Sequence, residues 1–173
     1  MALKDIFETT ARFFEKESID YAVIGAFALY GFGYVRATRD IDFVARIASQ
    51  KKIRRYLETL GFETTHCSTA FSNHVHPIGA MRVDILYVQG VTADEIFAHV
   101  QKRVLFRGRA YPVVAPEHLV AMKLFAASQS PERKLRDLAD IRALLENATV
   151  DRDMVKTLFT RYGLEKYYDD TAR

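Results

Sequence analysis

A chain of 173 residues, 49% of them hydrophobic, is one domain or a core with a small appendage, and it can bury a substantial interior. Its single cysteine, Cys67, excludes an internal disulfide and any multi-cysteine zinc site, and a formal charge of +3 does not by itself mark a polyanion binder. The start Met1-Ala2-Leu3-Lys4-Asp5 carries charge where a secretion signal needs an apolar core, and no run is long enough to span a bilayer, so a soluble cytoplasmic protein without membrane contact is expected.

Leu3, Ile6, Phe7, Ala11 and Phe14 fall at helical spacing, which predicts an amphipathic helix over residues 3 to 17. Tyr21 to Ile24 reads as a short buried strand. Gly25 closes it, a helix begins over Ala26 to Tyr30, and Gly31-Phe32-Gly33 breaks that helix. After the strand around Asp40 to Phe43, Ser49 is placed as an N-cap. Ile53, Leu57 and Leu60 form one apolar stripe, and Gly61 stands where a helix takes a left-handed terminal glycine. Met81 to Val88 is a second apolar strand. Thr92-Ala93-Asp94-Glu95 matches a capping box opening a helix to about Gln101. Val104 to Phe106 and Tyr111 to Val114 flank an Arg-Gly-Arg turn and predict a hairpin. Pro116 and Pro131 suit the first turns of helices reaching about Ala127 and Glu146, and a last helix is expected over Asp151 to Tyr162. The expected fold is a mixed α/β core over residues 1 to 114 with a helical part over 115 to 173 packed on it.

The chemistry concentrates in two strands. Side chains alternate along a strand, so Asp40 and Asp42 share a face while Ile41 and Phe43 take the other. Two carboxylates held side by side repel unless a cation lies between them, and hard oxygen donors suit Mg²⁺ or Mn²⁺. An Asp-x-Asp pair also occurs in solvated turns and caps. Asp84 weighs against that alternative, because it interrupts the apolar strand Arg82-Val83-Asp84-Ile85-Leu86 and would be costly there if buried and unpaired. Pairing the two strands would gather Asp40, Asp42 and Asp84 around a divalent metal.

The glycine turn at Gly25, then Arg36-Ala37-Thr38-Arg39-Asp40-Ile41-Asp42, then a lone Asp84, resembles the nucleotidyltransferase superfamily. It is most similar to the AbiEii-type enzymes known from toxin–antitoxin and phage-abortive systems. Ala121-Met122-Lys123-Leu124 and Arg136-Asp137-Leu138 resemble that family's later helices, so the likeness covers roughly residues 20 to 145. It implies a nucleotidyltransferase-like mixed sheet, with transfer of a nucleoside monophosphate from a nucleoside triphosphate to RNA such as tRNA, a protein or a small molecule. An antitoxin partner is also implied. Asp40, Asp42 and Asp84 would hold the metal ions, with Asp84 taking the acceptor proton. The N–H groups of Gly25 and Ala26, with Arg36, Thr38 and Lys123, would bind the triphosphate, and Asp137 would contact the nucleotide. Ala26 departs from the family, which has Gly or Ser there, and so lacks a hydroxyl for the terminal phosphates.

Plainer readings stand beside these. Gly25 also serves as an ordinary turn residue, Lys123 as a lysine snorkelling from an amphipathic helix, and Asp137 and Asp140 as partners of Arg133, Lys134 or Arg136 on a helix surface. The surface reading is preferred for Asp140. His74 and His76 alternate like strand residues but lack a third ligand for zinc, and are read as polar strand or loop positions. Basic runs at Lys51 to Arg55, Lys102 to Arg109 and Arg133 to Arg136 would form an RNA footprint only by converging on one face. The alternative to an enzyme is a non-catalytic nucleotide- or RNA-binding module that keeps the fold.

Overall fold

The computed structural model describes residues 2–172. Helix α1 (Leu3–Lys16) buries Ile6, Phe7, Ala11 and Phe14 along one stripe, as their spacing requires. Strand β1 (Tyr21–Ile24) runs straight into α2 (Gly25–Gly31), and β2 (Asp40–Arg46) follows a loop. A single 3₁₀ turn at Ile47–Ser49 leads into α3 (Gln50–Thr59). Next come β3 (Glu63–Cys67), β4 (Phe71–Val75), β5 (Arg82–Val88), α4 (Gly90–Ala98), β6 (Gln101–Phe106) and β7 (Arg109–Val113). The chain ends in α5 (Pro116–Gln129), α6 (Pro131–Asn147), α7 (Arg152–Arg161) and α8 (Tyr168–Ala172). None of these helices is long and apolar enough to cross a membrane.

The seven strands form one mixed sheet in the order β3-β4-β5-β2-β1-β7-β6. Strand β2 is antiparallel to β1 and parallel to β5, with Asp42 opposite Asp84 and Asp40 opposite Arg82. Helix α1 covers one face, where the Phe7 and Phe14 rings each lie 5.2 Å from Phe43. Helix α3 lies on the same side, its Tyr56 stacked on Phe13 of α1 at 3.7 Å. Alternation therefore sends Ile41, Phe43, Val83 and Ile85 into this core and the carboxylates to the opposite face, under α5 and α6.

Gly61 ends α3 as expected: φ is +86°, its N–H donates to Glu58 O, and the Phe62 N–H donates to Leu57 O. Two local expectations change, and one hairpin has no counterpart among the expected elements. Ser49 makes no side-chain cap, because the 3₁₀ turn already puts it at φ −91°, ψ −6°, whereas capping needs an extended residue. Thr92 lies inside α4, whose extended N-cap is Gln89, and the helix stops at Ala98, short of Gln101, which opens β6. The hairpin of β3 and β4 had no alternating apolar signature, since β3 is an exposed edge strand.

Candidate active site

Asp42 sits where three strands meet: Ile24 of β1 lies opposite it on one side and Asp84 of β5 on the other. Gly25 follows Ile24 at φ +65°, and a Cβ there would overlap Asp42 Oδ2 and lie 2.6 Å from the carboxyl carbon. The glycine is thus required twice, by its left-handed backbone and by a carboxylate occupying the space of a side chain. Asn73 of β4 stands opposite Asp84 and donates from Nδ2 to Oδ1 at 2.7 Å.

These carboxylates are electrostatically strained. Burial, followed by the charges of Asp84 and Asp40, pushes the Asp42 carboxyl up to about 7, against the opposing pull of Lys123 and Arg36. Asp84 is raised mainly by burial, and the Asn73 hydrogen bond works the other way. Among the described residues, no three His, Cys, Asp or Glu side chains converge as a ready-made metal cage. The donor chemistry fits a hard divalent cation all the same: Asp42 and Asp84 are paired oxygen donors whose repulsion a cation relieves.

The other wall comes from α5 and α6. Lys123 is buried, with Nζ 3.3 Å from Asp137 Oδ1 and 2.5 Å from Asp140 Oδ2. Arg36 Nε lies 3.1 Å from Asp140 Oδ1, an ionic contact in which the N–H does not point at the oxygen. Asp140 is 2% exposed, so its placement on the helix surface is corrected. Its spacing held the signal, because Asp137, Asp140, Ile141 and Leu144 form one inward stripe of α6. Asp137 is 1% exposed and, among the described residues, its Oδ2 has no hydrogen-bond partner, with Arg133 Nε 3.5 Å away.

Gly25, Asp42, Asp84, Lys123 and Asp137 line a single cavity of about 350 Å³, together with Asn73 and Arg133. Phe71, Leu86, Met122 and Phe125 form its apolar wall. Arg36, Thr38 and Asp40 open instead onto a neighbouring cleft. Thr38 braces the loop: its hydroxyl accepts from the Asp40 N–H at 3.0 Å. Ala26 is buried at the start of α2. His74 is wholly buried on the opposite face from Asn73, and His76 follows β4, with Nδ1 against the backbone of Ile78. Lys52 and Arg54 pair with Glu17 and Glu58 on the α1 and α3 side, so the Lys51 to Arg55 run does not converge on the carboxylates.

The family described as uncharacterised nucleotidyltransferase matches residues 2–172. The chain belongs to this nucleotidyltransferase family. No curated protein matches its sequence significantly. Among solved structures, this nucleotidyltransferase is similar to the antibiotic-resistance factor ANT(2'')-Ia at 15% identity and a TM-score of 0.68, over 97% of this chain and 95% of that one. The lincosamide antibiotic adenylyltransferase LnuA, lincomycin-bound, matches at 16% identity and 0.64, over 86% and 99%. A CCA-adding enzyme in complex with ATP matches at 12% and 0.53, over 99% of this chain and 46% of that one. At these identities the likeness is one of fold, and it agrees with the mixed α/β sheet described above.

Proposed function

We propose that the protein transfers a nucleoside monophosphate from a nucleoside triphosphate to an acceptor hydroxyl, assisted by Mg²⁺ or Mn²⁺. The observation that carries this reading is the parallel register of Asp42 with Asp84, with Asp40 two residues earlier on the same strand face. Asp40, Asp42 and Asp84 would hold the metal, which when bound neutralises charge on the attacking and leaving oxygens. The acceptor oxygen forms a bond to the α-phosphorus as the bond to the α,β-bridging oxygen breaks. Pyrophosphate leaves with that electron pair, and the hydroxyl proton passes to Asp84, whose Oδ2 is not engaged by Asn73.

The N–H groups of Gly25 and Ala26 receive phosphate oxygens beside Asp42, whose carboxylate takes the space that a Cβ at Gly25 would fill. Arg36 and Lys123 offset the negative charge, and Lys123 also holds Asp137 and Asp140 in place. Asp137 Oδ2, buried beside the cavity and lacking a partner, accepts a hydrogen bond from the nucleotide. The apolar wall of Phe71, Leu86, Met122 and Phe125 favours a compact acceptor over a long polyanion, although RNA and protein acceptors remain within this reading. The AbiEii resemblance extends it to a toxin restrained by an antitoxin, which growth arrest on expression of the active chain, and none from Asp42→Asn, would support.

The deciding experiment incubates the protein with each labelled nucleoside triphosphate, Mg²⁺ and a cell extract, and follows both pyrophosphate and the fate of the label. Label entering RNA, protein or a small molecule identifies the acceptor. If no nucleotide gives metal-dependent pyrophosphate release, the chain is a nucleotide-binding module that keeps the fold.

A further inference from the structure

Strand alternation puts Asp84, Leu86 and Val88 on one face of β5, so that Val88 lies about 13 Å along the strand from Asp84, at roughly 3.3 Å per residue. Their neighbours Val83, Ile85 and Tyr87 are buried in the core on the other side. Leu86, Met122 and Phe125 line the catalytic cavity and also a second cavity of about 500 Å³. The two cavities are therefore halves of one trough. It starts at the Asp42 and Asp84 carboxylates and runs along β5 to Val88, between α4 and α5, with the end of α7 at its rim.

Large apolar side chains are left exposed along this trough: Phe71 of β4 at its near end, Phe125 of α5 in the middle and Val91 of α4 in its far half. Single exposed apolar residues need no explanation, but three lining one concavity mark a place where an apolar ligand leaves water. Charge is sparse there. Among the described residues, Glu95 and Arg161 are the only ionised side chains lining the far half, one of each sign. The cleft at Asp40 is different, being lined by Arg36, Arg39, Arg82 and Arg136, which arrive from the loop before β2, from β5 and from α6. A polyanionic acceptor needs cations along its path, and the far half of the trough offers Arg161 alone. An acceptor carrying several charges would also give up its hydration against Leu86, Val88 and Phe125.

We propose that the acceptor is an uncharged alcohol with an apolar body, its hydroxyl at Asp84 and its body lying along Leu86 and Val88 between α4 and α5. The proposal rests on the nucleotidyl-transfer reading and narrows its substrate class. The alcohol oxygen bonds to the α-phosphorus while its proton passes to Asp84, and pyrophosphate leaves with the electron pair of the broken bond. The product is an apolar ester of the nucleoside monophosphate. The floor from Asp84 to Val88 supports a body about 13 Å long.

Binding of butan-1-ol, hexan-1-ol and octan-1-ol to the full chain is measured by NMR titration for the wild type, Ala121→Trp and Val91→Asp. Ala121→Trp fills the far half of the trough from α5. Val91→Asp sets a charge on its wall at an exposed position in the first turn of α4, where an acidic residue suits the helix. Ligand-free melting temperatures establish that both variants fold. In the wild type, affinity should rise roughly fourfold with each methylene, the value of one buried CH₂. Each variant should weaken octan-1-ol by roughly tenfold, the gain of the last methylenes, and leave butan-1-ol unchanged. A second arm supplies octan-1-ol, Mg²⁺ and each labelled nucleoside triphosphate, and the labelled octyl ester is the expected product. Affinities independent of chain length, or equal in wild type and variants, overturn the proposal. So does label that enters RNA or protein of a cell extract but never octan-1-ol. Chain-length-dependent binding without metal-dependent pyrophosphate release from any nucleotide keeps the trough as an apolar ligand site and counts against the transferase reading, so the two failures are distinct.

Discussion

Asn73 Nδ2 donates a 2.7 Å hydrogen bond to Asp84 Oδ1 across the antiparallel pair of β4 and β5. Strand β4 is itself anchored from behind. Ser72 Oγ lies 2.8 Å from His74 Nε2 and 2.9 Å from the Tyr87 hydroxyl, and His74 Nδ1 lies 3.1 Å from Thr64 Oγ1. One oxygen of Asp84 is thereby committed and the other left for chemistry. Asn73→Ala should lower kcat about tenfold, the scale of one hydrogen bond to a charged group, with little change in melting temperature. Steady-state kinetics at saturating nucleotide checks it, and an unaltered kcat would remove Asn73 from the site.

Asp42 carries a folded-state pKa of about 7 against an ordinary 3.8. Between those values the folded protein holds a proton that the unfolded chain has released, so without metal this group makes stability fall as pH rises through the window. The cost is complete above pH 7. Asp42→Asn should therefore be more stable than the wild type at pH 8, with the gap closing toward pH 4, while transfer is lost. Urea midpoints at several pH values test this, and a constant gap would contradict it.

His74 behaves in the opposite sense. Burial pushes its pKa down from 6.5 to about 4, so between those values the unfolded chain takes up a proton that the folded one refuses. Its contribution to stability is intact above pH 6.5 and is lost as pH falls toward 4. The difference in urea midpoint between wild type and His74→Gln should shrink on acidification. A difference independent of pH would mean that His74 takes up its proton equally in the folded and unfolded states.

Gly25→Ala places a Cβ where Asp42 Oδ2 now sits and forces an L-residue to φ +65°. The left-handed conformation alone costs about 1 kcal/mol or more. The larger effect should be on function, since the Asp42 carboxylate must leave the position it now holds. Loss of activity well beyond the change in melting temperature is the expected result, and full activity would show that the glycine serves only the turn.

Lys123→Ala removes the buried ammonium shared by Asp137 and Asp140, leaving them only the contacts with Arg133 and Arg36. Breaking a buried ion pair in this way typically costs about 3 to 5 kcal/mol, more than the loss of one phosphate contact. Thermal denaturation should show that loss, and adding Asp140→Asn should restore part of it. If Lys123→Ala weakens nucleotide binding without destabilising the fold, the lysine acts on the phosphates alone.

Local pattern was enough to show several things. The alternation of Asp40, Ile41, Asp42 and Phe43 put two carboxylates on one face, the stripe of Ile6, Phe7 and Phe14 made α1 amphipathic, and Gly61 closed α3. Each depends on the chain's own periodicity over a few residues, which a sequence displays directly. Partnership between distant segments belongs to tertiary structure. The register that sets Asp42 against Asp84, the approach of Asn73 from an edge hairpin with no apolar pattern, and the burial of Asp140 between Lys123 and Arg36 all join residues far apart in the chain. So does the sorting of Asp40 and Asp42 into separate chambers, because the arginines that make one of them basic arrive from a loop, a strand and a helix that only the folded sheet brings together.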